Sequence, residues 1–186
     1  ENDIEKVSMS YPLFVKPVGE GTGKGIDGNS KVSSKDDLKK VCNNLLSNYK
    51  QAVIVEEFLP GREFTVGIIG SGEDARVAGV MEILISEKAS EQTYSFNTKE
   101  NWKGIVDYEL VRGETEKICS EIALKAWRCL GCLDGGRIDL KMDKNGIPNF
   151  IEVNPLAGLN PGHSDFPMLA GKNGIDFKSL INQVMN

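Results

Sequence analysis

One stretch of the sequence decides the fold: Gly136-Arg-Ile-Asp-Leu-Lys-Met-Asp-Lys-Asn-Gly-Ile-Pro-Asn-Phe-Ile-Glu-Val-Asn154. Its centre, Asn145-Gly146, is the strongest short signal for a β-hairpin, because a two-residue type I′ turn needs positive φ at both central positions. A turn at these two residues pairs Lys144 with Ile147 and fixes every pairing further along the two strands. The stretch therefore predicts an antiparallel hairpin of defined register.

Four polar side chains share one face of this hairpin. Counted back from the turn, Asp139 lies opposite Glu152, and Arg137 lies opposite Asn154. Strand side chains alternate between the two faces of a sheet, so all four project from the same side. The other face is apolar and carries Ile138, Leu140, Ile151 and Val153.

The polar side of the hairpin predicts a metal site. Two facing carboxylates repel each other unless a cation lies between them. Oxygen ligands favour Mg²⁺ or Mn²⁺ over zinc, and Mg²⁺ with few protein ligands is usually completed by water and phosphate oxygens. We therefore predict that Asp139, Glu152 and Asn154 bind a divalent cation together with a nucleotide. The alternative is a pair of solvated carboxylates on the open face of a sheet.

Hydrophobic patterns outside the hairpin predict further strands and helices. Ser34 followed by Asp37 is typical of a helix start, and apolar residues then recur with helical spacing as far as Tyr49. Runs rich in β-forming residues predict an antiparallel meander at 52–58, 63–69 and 76–85. The other predicted elements are a strand at 11–17, a glycine loop at 18–25, a polar lid at 86–107, and helices at 118–130 and 177–184.

Composition and charge exclude several classes of protein. The 186 residues are 40% hydrophobic and 26% charged, which is typical of a globular protein rather than a disordered or fibrous one. A net charge of −5 does not favour nucleic acid or an anionic membrane, and no apolar run approaches the roughly 20 residues that span a bilayer. Four cysteines in a chain of this size favour a reducing compartment, so we expect a cytoplasmic protein. Cys129 and Cys132 have the spacing of half a zinc ribbon or a redox pair, but core packing is the better interpretation.

Several motifs follow one another across nearly the whole chain: Val15-Lys-Pro17, Glu20-Gly-Thr-Gly-Lys-Gly25, Val55-Glu-Glu-Phe-Leu-Pro-Gly-Arg-Glu-Phe-Thr-Val66, Leu130-Gly-Cys132, Gly136-Arg-Ile-Asp139, Ile151-Glu-Val-Asn-Pro155, Gly158-Leu159 and His163-Ser164. In this order they resemble the ATP-grasp carboxylate-amine ligases, and most closely the D-alanine–D-alanine ligases. The resemblance implies an α+β fold in which two α+β subdomains with antiparallel sheets clasp the nucleotide. It implies a central subdomain at residues 1–70 and a C-terminal subdomain at 71–186, with the family's N-terminal substrate subdomain absent from this chain.

The resemblance also implies roles for individual residues. The nucleotide-binding residues that it implies are Lys16, Glu20, Gly21, Thr22, Gly23, Glu56, Glu57, Leu59, Glu63 and Lys99. The three metal ligands predicted from the hairpin match magnesium ligands of the family, which holds two ions. Arg137 and the Gly158 amide match groups that stabilise an oxyanion, and Ser164 matches a contact to the carboxylate of the acceptor amino acid.

The implied activity is ATP-dependent formation of an amide bond through an acyl phosphate, most closely the joining of two D-alanine molecules for peptidoglycan precursors. Two departures from the family bear on the substrates: Glu100 follows Lys99 where tyrosine is usual, and Asp165 follows His163-Ser164 where an apolar residue is usual. They keep open a ligase for other carboxylates and amines. A chain that binds MgATP without catalysis is a third hypothesis. The role of His163 stays undecided between positioning and none, and the resemblance leaves room for a homodimer.

Overall fold

The computed structural model describes residues 3–21, 23–85 and 106–185. Within these ranges the chain forms eight strands and four α-helices, with short 3-10 turns at Ile4–Lys6 and Gly72–Asp74. The strands are β1 (Leu13–Pro17), β2 (Lys31–Val32), β3 (Val53–Glu57), β4 (Glu63–Ile69), β5 (Arg76–Ile85), β6 (Val106–Leu110), β7 (Gly135–Met142) and β8 (Pro148–Asn154). The helices are α1 (Lys35–Tyr49), α2 (Glu114–Cys129), α3 (Asp165–Lys172) and α4 (Phe177–Met185). The predicted lid at 86–107 lies outside the described residues, apart from its last two, which begin β6.

The chain divides into two compact units, and the first boundary lies after Phe58. The second unit runs from Leu59 to Leu84 and continues from Tyr108. Strand β4 belongs to the second unit because it pairs with both β5 and β7. The spatial boundary therefore precedes residue 70, and the division of the family's subdomains at that residue stays a prediction.

The first unit is a three-stranded antiparallel sheet covered by α1. Its strand order is β2-β1-β3, so β3 pairs with β1. The predicted meander is wrong at this point, because β3 and β4 lie in different sheets and, of its three strands, only β4 and β5 pair with each other. Apolar side chains of the sheet pack against one face of α1 in a core of Leu13, Val15, Val32, Leu38, Cys42 and Leu45.

The start of α1 is the predicted one. Ser34 is the N-cap, its hydroxyl accepts a hydrogen bond from the Asp37 amide at 3.2 Å, and it donates one to the Asp37 carboxylate at 2.7 Å. An N-cap oxygen satisfies an amide that has no partner within the helix. The helix ends at Lys50, whose φ of 54° is left-handed.

We expect Ser34→Ala to lower the free energy of unfolding by about 1 kcal/mol, the usual value of such a cap. Chemical denaturation followed by circular dichroism measures the loss. Ser33→Ala is the matched control, because Ser33 is exposed and precedes the cap. Equal stability of the two variants would contradict the capping role.

The second unit is a five-stranded sheet of order β6-β5-β4-β7-β8. One face is apolar and packs against α2, which contributes Cys119, Ala123 and Trp127 at helical spacing to the core. The sheet contributes Phe64, Val66, Val80, Ile138 and Leu140 to the same core. The alternate residues of β4, β7 and β8 are left on the opposite face, which is where the polar side chains lie.

Helix α3 packs on that opposite face, beside the polar side chains. A β-carbon on Gly67 would lie 2.9 Å from Leu169 and 3.2 Å from Phe166, and one on Gly79 would lie 3.0 Å from Leu169. Phe166 and Leu169 are almost fully buried. The two glycines therefore let the helix approach the sheet backbone, and close packing fixes its position. The sequence patterns did not predict this helix.

The β7–β8 hairpin is confirmed at the site and wrong at its turn. Arg137 pairs with Asn154 and Asp139 pairs with Glu152, as predicted. Near the turn, however, Met142 pairs with Pro148, which is one residue out of the predicted register. A β-bulge beyond Asp139 restores the register before the site is reached.

The wider turn has a local cause in Asp143. Its carboxylate accepts hydrogen bonds from the amides of Ile147 at 2.9 Å and Asn145 at 2.8 Å, and these bonds lower the pKa of the Asp143 carboxyl. Gly146 has the positive φ of 78° that the turn needs, but Asn145 does not share it. The side chain of Asp143 thus stabilises a longer loop in place of the two-residue turn.

Candidate active site

Seven side chains form what we call the polar face of the second unit. Strand pairing places Glu63 beside Lys141, Thr65 beside Asp139, and Asp139 beside Glu152. The polar face consists of Glu63, Thr65, Arg137, Asp139, Lys141, Glu152 and Asn154. It brings together all three predicted metal ligands, the predicted oxyanion arginine and Glu63, one of the predicted nucleotide-binding residues.

Asp139 is the centre of the polar face. One carboxylate oxygen accepts a hydrogen bond from the Thr65 hydroxyl at 2.7 Å. The other accepts from Arg137 Nη2 at 2.9 Å and from the Asn154 amide nitrogen at 3.0 Å. Asp139 is only 8% exposed, so these donors replace the water that a buried carboxylate has lost.

Asn154 links the two facing carboxylates. Its amide nitrogen also donates to Glu152 at 3.3 Å, so one NH₂ group bridges Asp139 and Glu152. In this arrangement the amide and Arg137 offset the repulsion that the sequence led us to assign to a cation. A half-turn of the Asn154 amide would exchange its nitrogen for its oxygen and convert the bridge into a metal ligand.

The donor set fits a hard divalent cation. Among the described residues, no three acidic, histidine or cysteine side chains cluster as a metal site. A cation on the polar face would therefore have two carboxylates and one amide oxygen from the protein, completed by water and phosphate oxygens. This is the kind of site that Mg²⁺ takes with a nucleotide, whereas Ca²⁺ usually has more protein oxygens.

Arg137 is held on three sides. Its Nε donates to the Thr65 hydroxyl at 2.9 Å, and its Nη2 donates to Asp139. Its Nη1 forms an ion pair with Asp165 at 3.3 Å, and the two side chains are 10% and 11% exposed. Asp165, expected near the substrate as a departure from the family, thus lies against the predicted oxyanion residue.

Gly158 and Ser164 come together next to that pair. A β-carbon on Gly158 would lie 2.6 Å from the Ser164 hydroxyl oxygen, so the loop passes close to this side chain. Ser164 is the N-cap position of α3, and its hydroxyl accepts a hydrogen bond from the Asn160 amide at 3.1 Å. His163 lies in the same turn, where its amide donates to the Asn160 carbonyl.

The sequence motifs did not predict the role of Lys141 in the polar face. Its ammonium group is 2.6 Å from the Glu63 carboxylate, and both side chains are about one fifth exposed. The signal was available, because Lys141 is two residues beyond Asp139 on one strand and must share its face. The ion pair itself could not be predicted, because Glu63 lies far away in the sequence, on β4.

The first unit carries several of the other predicted nucleotide residues. Lys16 on β1 forms an ion pair with Glu56 on β3 at 2.7 Å. Glu20 accepts a hydrogen bond from the Gln51 side chain at 2.8 Å, which ties the start of the glycine loop to the end of α1. The loop turns at Gly23, which has a positive φ of 77°.

The structure also describes three further predicted residues, Glu57, Leu59 and Gly21. Glu57 ends β3 and is exposed, and Leu59 follows the boundary between the units. Gly21 accepts a backbone hydrogen bond from Lys24 within the glycine loop. Thr22, Lys99 and Glu100 lie outside the described residues.

Comparison with known proteins decides the family. A family model described as "D-ala D-ala ligase C-terminus" matches residues 2–186. The chain belongs to this family. The D-alanine–D-alanine ligase of Aquifex aeolicus is 36% identical over 187 residues, covering 100% of this chain and 60% of the relative. The corresponding ligase of Dechloromonas aromatica is also 36% identical, covering 98% of this chain and 57% of the relative.

Solved structures of D-Ala ligases have the same fold. The VanG D-Ala:D-Ser ligase from Enterococcus faecalis superposes with a TM-score of 0.75 at 26% identity, covering 99% of this chain and 51% of that one. A D-alanine–D-alanine ligase from Bacillus anthracis superposes with a TM-score of 0.73 at 23% identity, covering 99% of this chain and 56% of that one. The predicted ATP-grasp α+β fold is confirmed. The chain spans about half to three fifths of the length of these relatives.

No helix in the part of the chain that the structure describes is a candidate for spanning a membrane. None of these helices is both long enough and apolar enough to cross a bilayer.

Proposed function

We propose that the full-length protein is an ATP-dependent, ADP-forming ligase that joins two D-alanine molecules for peptidoglycan precursors in the cytoplasm. One observation carries this proposal: a chain of this ligase family places a buried arginine beside two facing carboxylates. The required cofactors are ATP and Mg²⁺ or Mn²⁺, with two ions. The amino acids are small-molecule substrates, and neither nucleic acid nor membrane is needed.

The proposed reaction has two steps. A carboxylate oxygen of the first D-alanine attacks the γ-phosphorus of ATP, and the bond from that phosphorus to the β–γ bridging oxygen breaks, giving ADP and an acyl phosphate. The amine of the second D-alanine then attacks the acyl carbon, loses a proton, and expels inorganic phosphate. Divalent cations, when bound, neutralise charge on the phosphate oxygens.

The protein's part in this chemistry is positioning and charge. Asp139, Glu152 and Asn154 would hold the cations, and the Arg137 guanidinium would stabilise the oxyanion that forms when the amine attacks. The Gly158 amide would donate to the same oxygen. Ser164 would contact the carboxylate of the acceptor.

Further residues of the chain would bind the nucleotide. Lys16 would hold the phosphates, and the glycine loop, including Glu20, Gly21, Thr22 and Gly23, would aim amide groups at them. Lys99 would lie near the phosphates as well. Glu56, Glu57 and Leu59 would contact the adenine, and Glu63 would accept hydrogen bonds from the ribose hydroxyls.

The pair of Glu63 and Lys141 gives a binding prediction. We expect Lys141→Met to weaken ADP binding about tenfold, because Glu63 loses the charge-assisted contact that orients it. Isothermal titration of the full-length protein measures the affinity. Glu63→Gln should have a similar effect, and the double variant should bind no more weakly than either single variant.

Two controls separate this role from a general loss of structure. Lys125→Met removes an exposed lysine from α2 and should leave the affinity unchanged. With 2′,3′-dideoxyadenosine diphosphate, the wild type and all these variants should bind alike, because the nucleotide lacks the hydroxyls that Glu63 would accept from. Additive losses, or losses that persist with the dideoxy nucleotide, would show that Lys141 does not act through the ribose contact.

The activity itself is tested by ADP release from the full-length protein, with Mg²⁺ and a panel of D- and L-amino acids and hydroxy acids. Stimulation by D-alanine alone supports the proposal. No stimulation by any amino acid would refute it and would favour an MgATP-binding protein.

A D-alanine–D-serine ligase is the second candidate. It is favoured by the structural match to VanG of Enterococcus faecalis, which is a D-Ala:D-Ser ligase. Faster ADP release with D-alanine and D-serine together than with D-alanine alone would select it.

A further inference from the structure

The position of Asp165 gives it a specific relation to Arg137. Thr65 and Asp139 contact Nε and Nη2, which form one edge of the planar guanidinium. Asp165 contacts Nη1, at the other end of the same group. The three partners, two hydrogen-bond acceptors and one ion-pair carboxylate, come from β4, β7 and α3, so the guanidinium is anchored from two strands and a helix.

The helix that carries Asp165 is itself held firmly on the sheet. Phe166 and Leu169 are 1% and 0% exposed, and both lie where they would contact a β-carbon on Gly67. Gly67 is paired with Arg137 across β4 and β7. Asp165 is therefore fixed by close packing next to the residue that it contacts, rather than carried by a long flexible side chain.

We propose that Asp165 is a positioning residue that holds the Arg137 guanidinium in place for the oxyanion of the reaction. This inference rests on the proposed ligase function. Arginine has five N–H groups in a rigid plane, so three fixed oxygen partners define both the position and the orientation of the plane. A hydrogen-bond donor stabilises an oxyanion best when it is already fixed in place, because it then needs no rearrangement as the negative charge develops.

The negative charge of Asp165 and its contact with Arg137 are expected to affect the reaction rate in opposite directions. A nearby carboxylate lowers the attraction of Arg137 for an oxyanion, so removal of the charge alone would speed the reaction if charge dominated. Removal of the contact frees the guanidinium, and misplacement of a catalytic group by about 1 Å can cost roughly 100-fold in rate. Two variants of similar size separate the two effects: Asp165→Asn keeps an oxygen acceptor, and Asp165→Leu keeps neither oxygen nor charge.

We expect Asp165→Asn to have a kcat close to the wild-type value. Asp165→Leu should have a kcat lower by roughly 10- to 100-fold, with KM for ATP unchanged. The matched control is the pair Glu114→Gln and Glu114→Leu, because Glu114 is the exposed first residue of α2. Neither control variant should change kcat.

A second measurement follows the guanidinium directly and does not need turnover. In ¹⁵N NMR spectra of the full-length protein, with Arg137→Lys to assign the signals, rotation about the Cζ–Nη1 bond of Arg137 should be slow in the wild type and in Asp165→Asn. It should be fast in Asp165→Leu, because the Nη1 contact is lost.

The outcomes separate this inference from the proposed function. Wild-type kcat in Asp165→Leu, equal losses in Asp165→Asn and Asp165→Leu, or slow Nη1 rotation in Asp165→Leu would overturn the positioning role. Absence of amino-acid-dependent ADP release in the wild type would overturn the ligase function, whereas the NMR result would still decide whether Asp165 holds Arg137.

Discussion

Replacement of Arg137 by alanine is expected to lower kcat by about 100- to 1000-fold, which is the usual loss for one oxyanion donor. Nucleotide affinity should stay close to wild type, because the residues proposed to bind the nucleotide and the cations all remain. The reason for the loss is electrostatic: the guanidinium is buried, fixed by Thr65, Asp139 and Asp165, and therefore placed in a medium that screens its charge weakly.

The same burial complicates the alanine variant. Removal of the guanidinium leaves Asp139 and Asp165 without their cationic partner, and loss of one member of a buried ion pair costs about 3–5 kcal/mol of stability. Kinetics should therefore be measured well below the melting temperature of the variant. Arg137→Lys is a second variant that keeps the charge, but its compact ammonium group cannot reach partners at both ends of a guanidinium, and it should lose most of the same kcat.

Steady-state ADP release and calorimetric titration with ADP measure the two quantities separately. Arg112→Ala is the control, because it removes an exposed arginine on the same unit that contacts Glu116 and Asn173 instead. An equal loss of turnover and nucleotide affinity in Arg137→Ala would contradict the oxyanion role.

The second large effect is expected at the metal ligands. Asp139→Asn combined with Glu152→Gln should weaken Mg²⁺-dependent nucleotide binding by more than about 100-fold, since loss even of residues that only support a metal ligand costs 10- to 100-fold. The two amides keep the size of the carboxylates but lack their charge. Binding of the nucleotide in the absence of Mg²⁺ should be unchanged or slightly tighter, because two negative charges near the phosphates are removed.

Titration with ADP in the presence of Mg²⁺ and in the presence of a chelator measures this difference. Glu73→Gln with Asp74→Asn is the matched control, because it removes the same two charges from the exposed 3-10 turn of the second unit. Mg²⁺-dependent binding that survives in the Asp139 and Glu152 double variant would refute the hairpin as the cation site.

Local signals predicted the parts of the fold that depend on neighbouring residues. The Ser34 cap and the start of α1 follow from hydrogen bonds within one turn. The pairing of Asp139 with Glu152 was predicted on an incorrect turn, since the longer loop and the bulge shift the register in opposite directions. The site register was correct because these two departures cancel.

Features that depend on distant partners could not be predicted in this way. Strand β3 is rich in β-forming residues, as is β4, the next strand in the chain. Its pairing with β1 nevertheless places it in the other sheet. Helix α3 contains Pro167 and Gly171, so its own sequence favours a helix weakly, and its packing on Gly67 determines where it lies.

In the candidate site, too, features set by nearby residues were predicted and contacts between distant segments were not. Motif spacing predicted Arg137, Asp139, Glu152 and Asn154 on one face. It did not predict the contacts of Lys141 with Glu63 and of Asp165 with Arg137, because each joins segments far apart in the sequence. Such pairs are decided by the tertiary fold, and a single sequence carries no direct signal for them.

The central claim, amide formation through an acyl phosphate, is tested most directly by oxygen transfer. The full-length protein would be incubated with ATP, Mg²⁺ and D-alanine labelled with ¹⁸O in its carboxylate, and the released phosphate would be analysed by mass spectrometry. We predict one ¹⁸O atom in each phosphate, together with ADP and D-alanyl-D-alanine, because the carboxylate oxygen that attacks the γ-phosphorus leaves with it. Unlabelled phosphate, or AMP and pyrophosphate in place of ADP, would contradict this account.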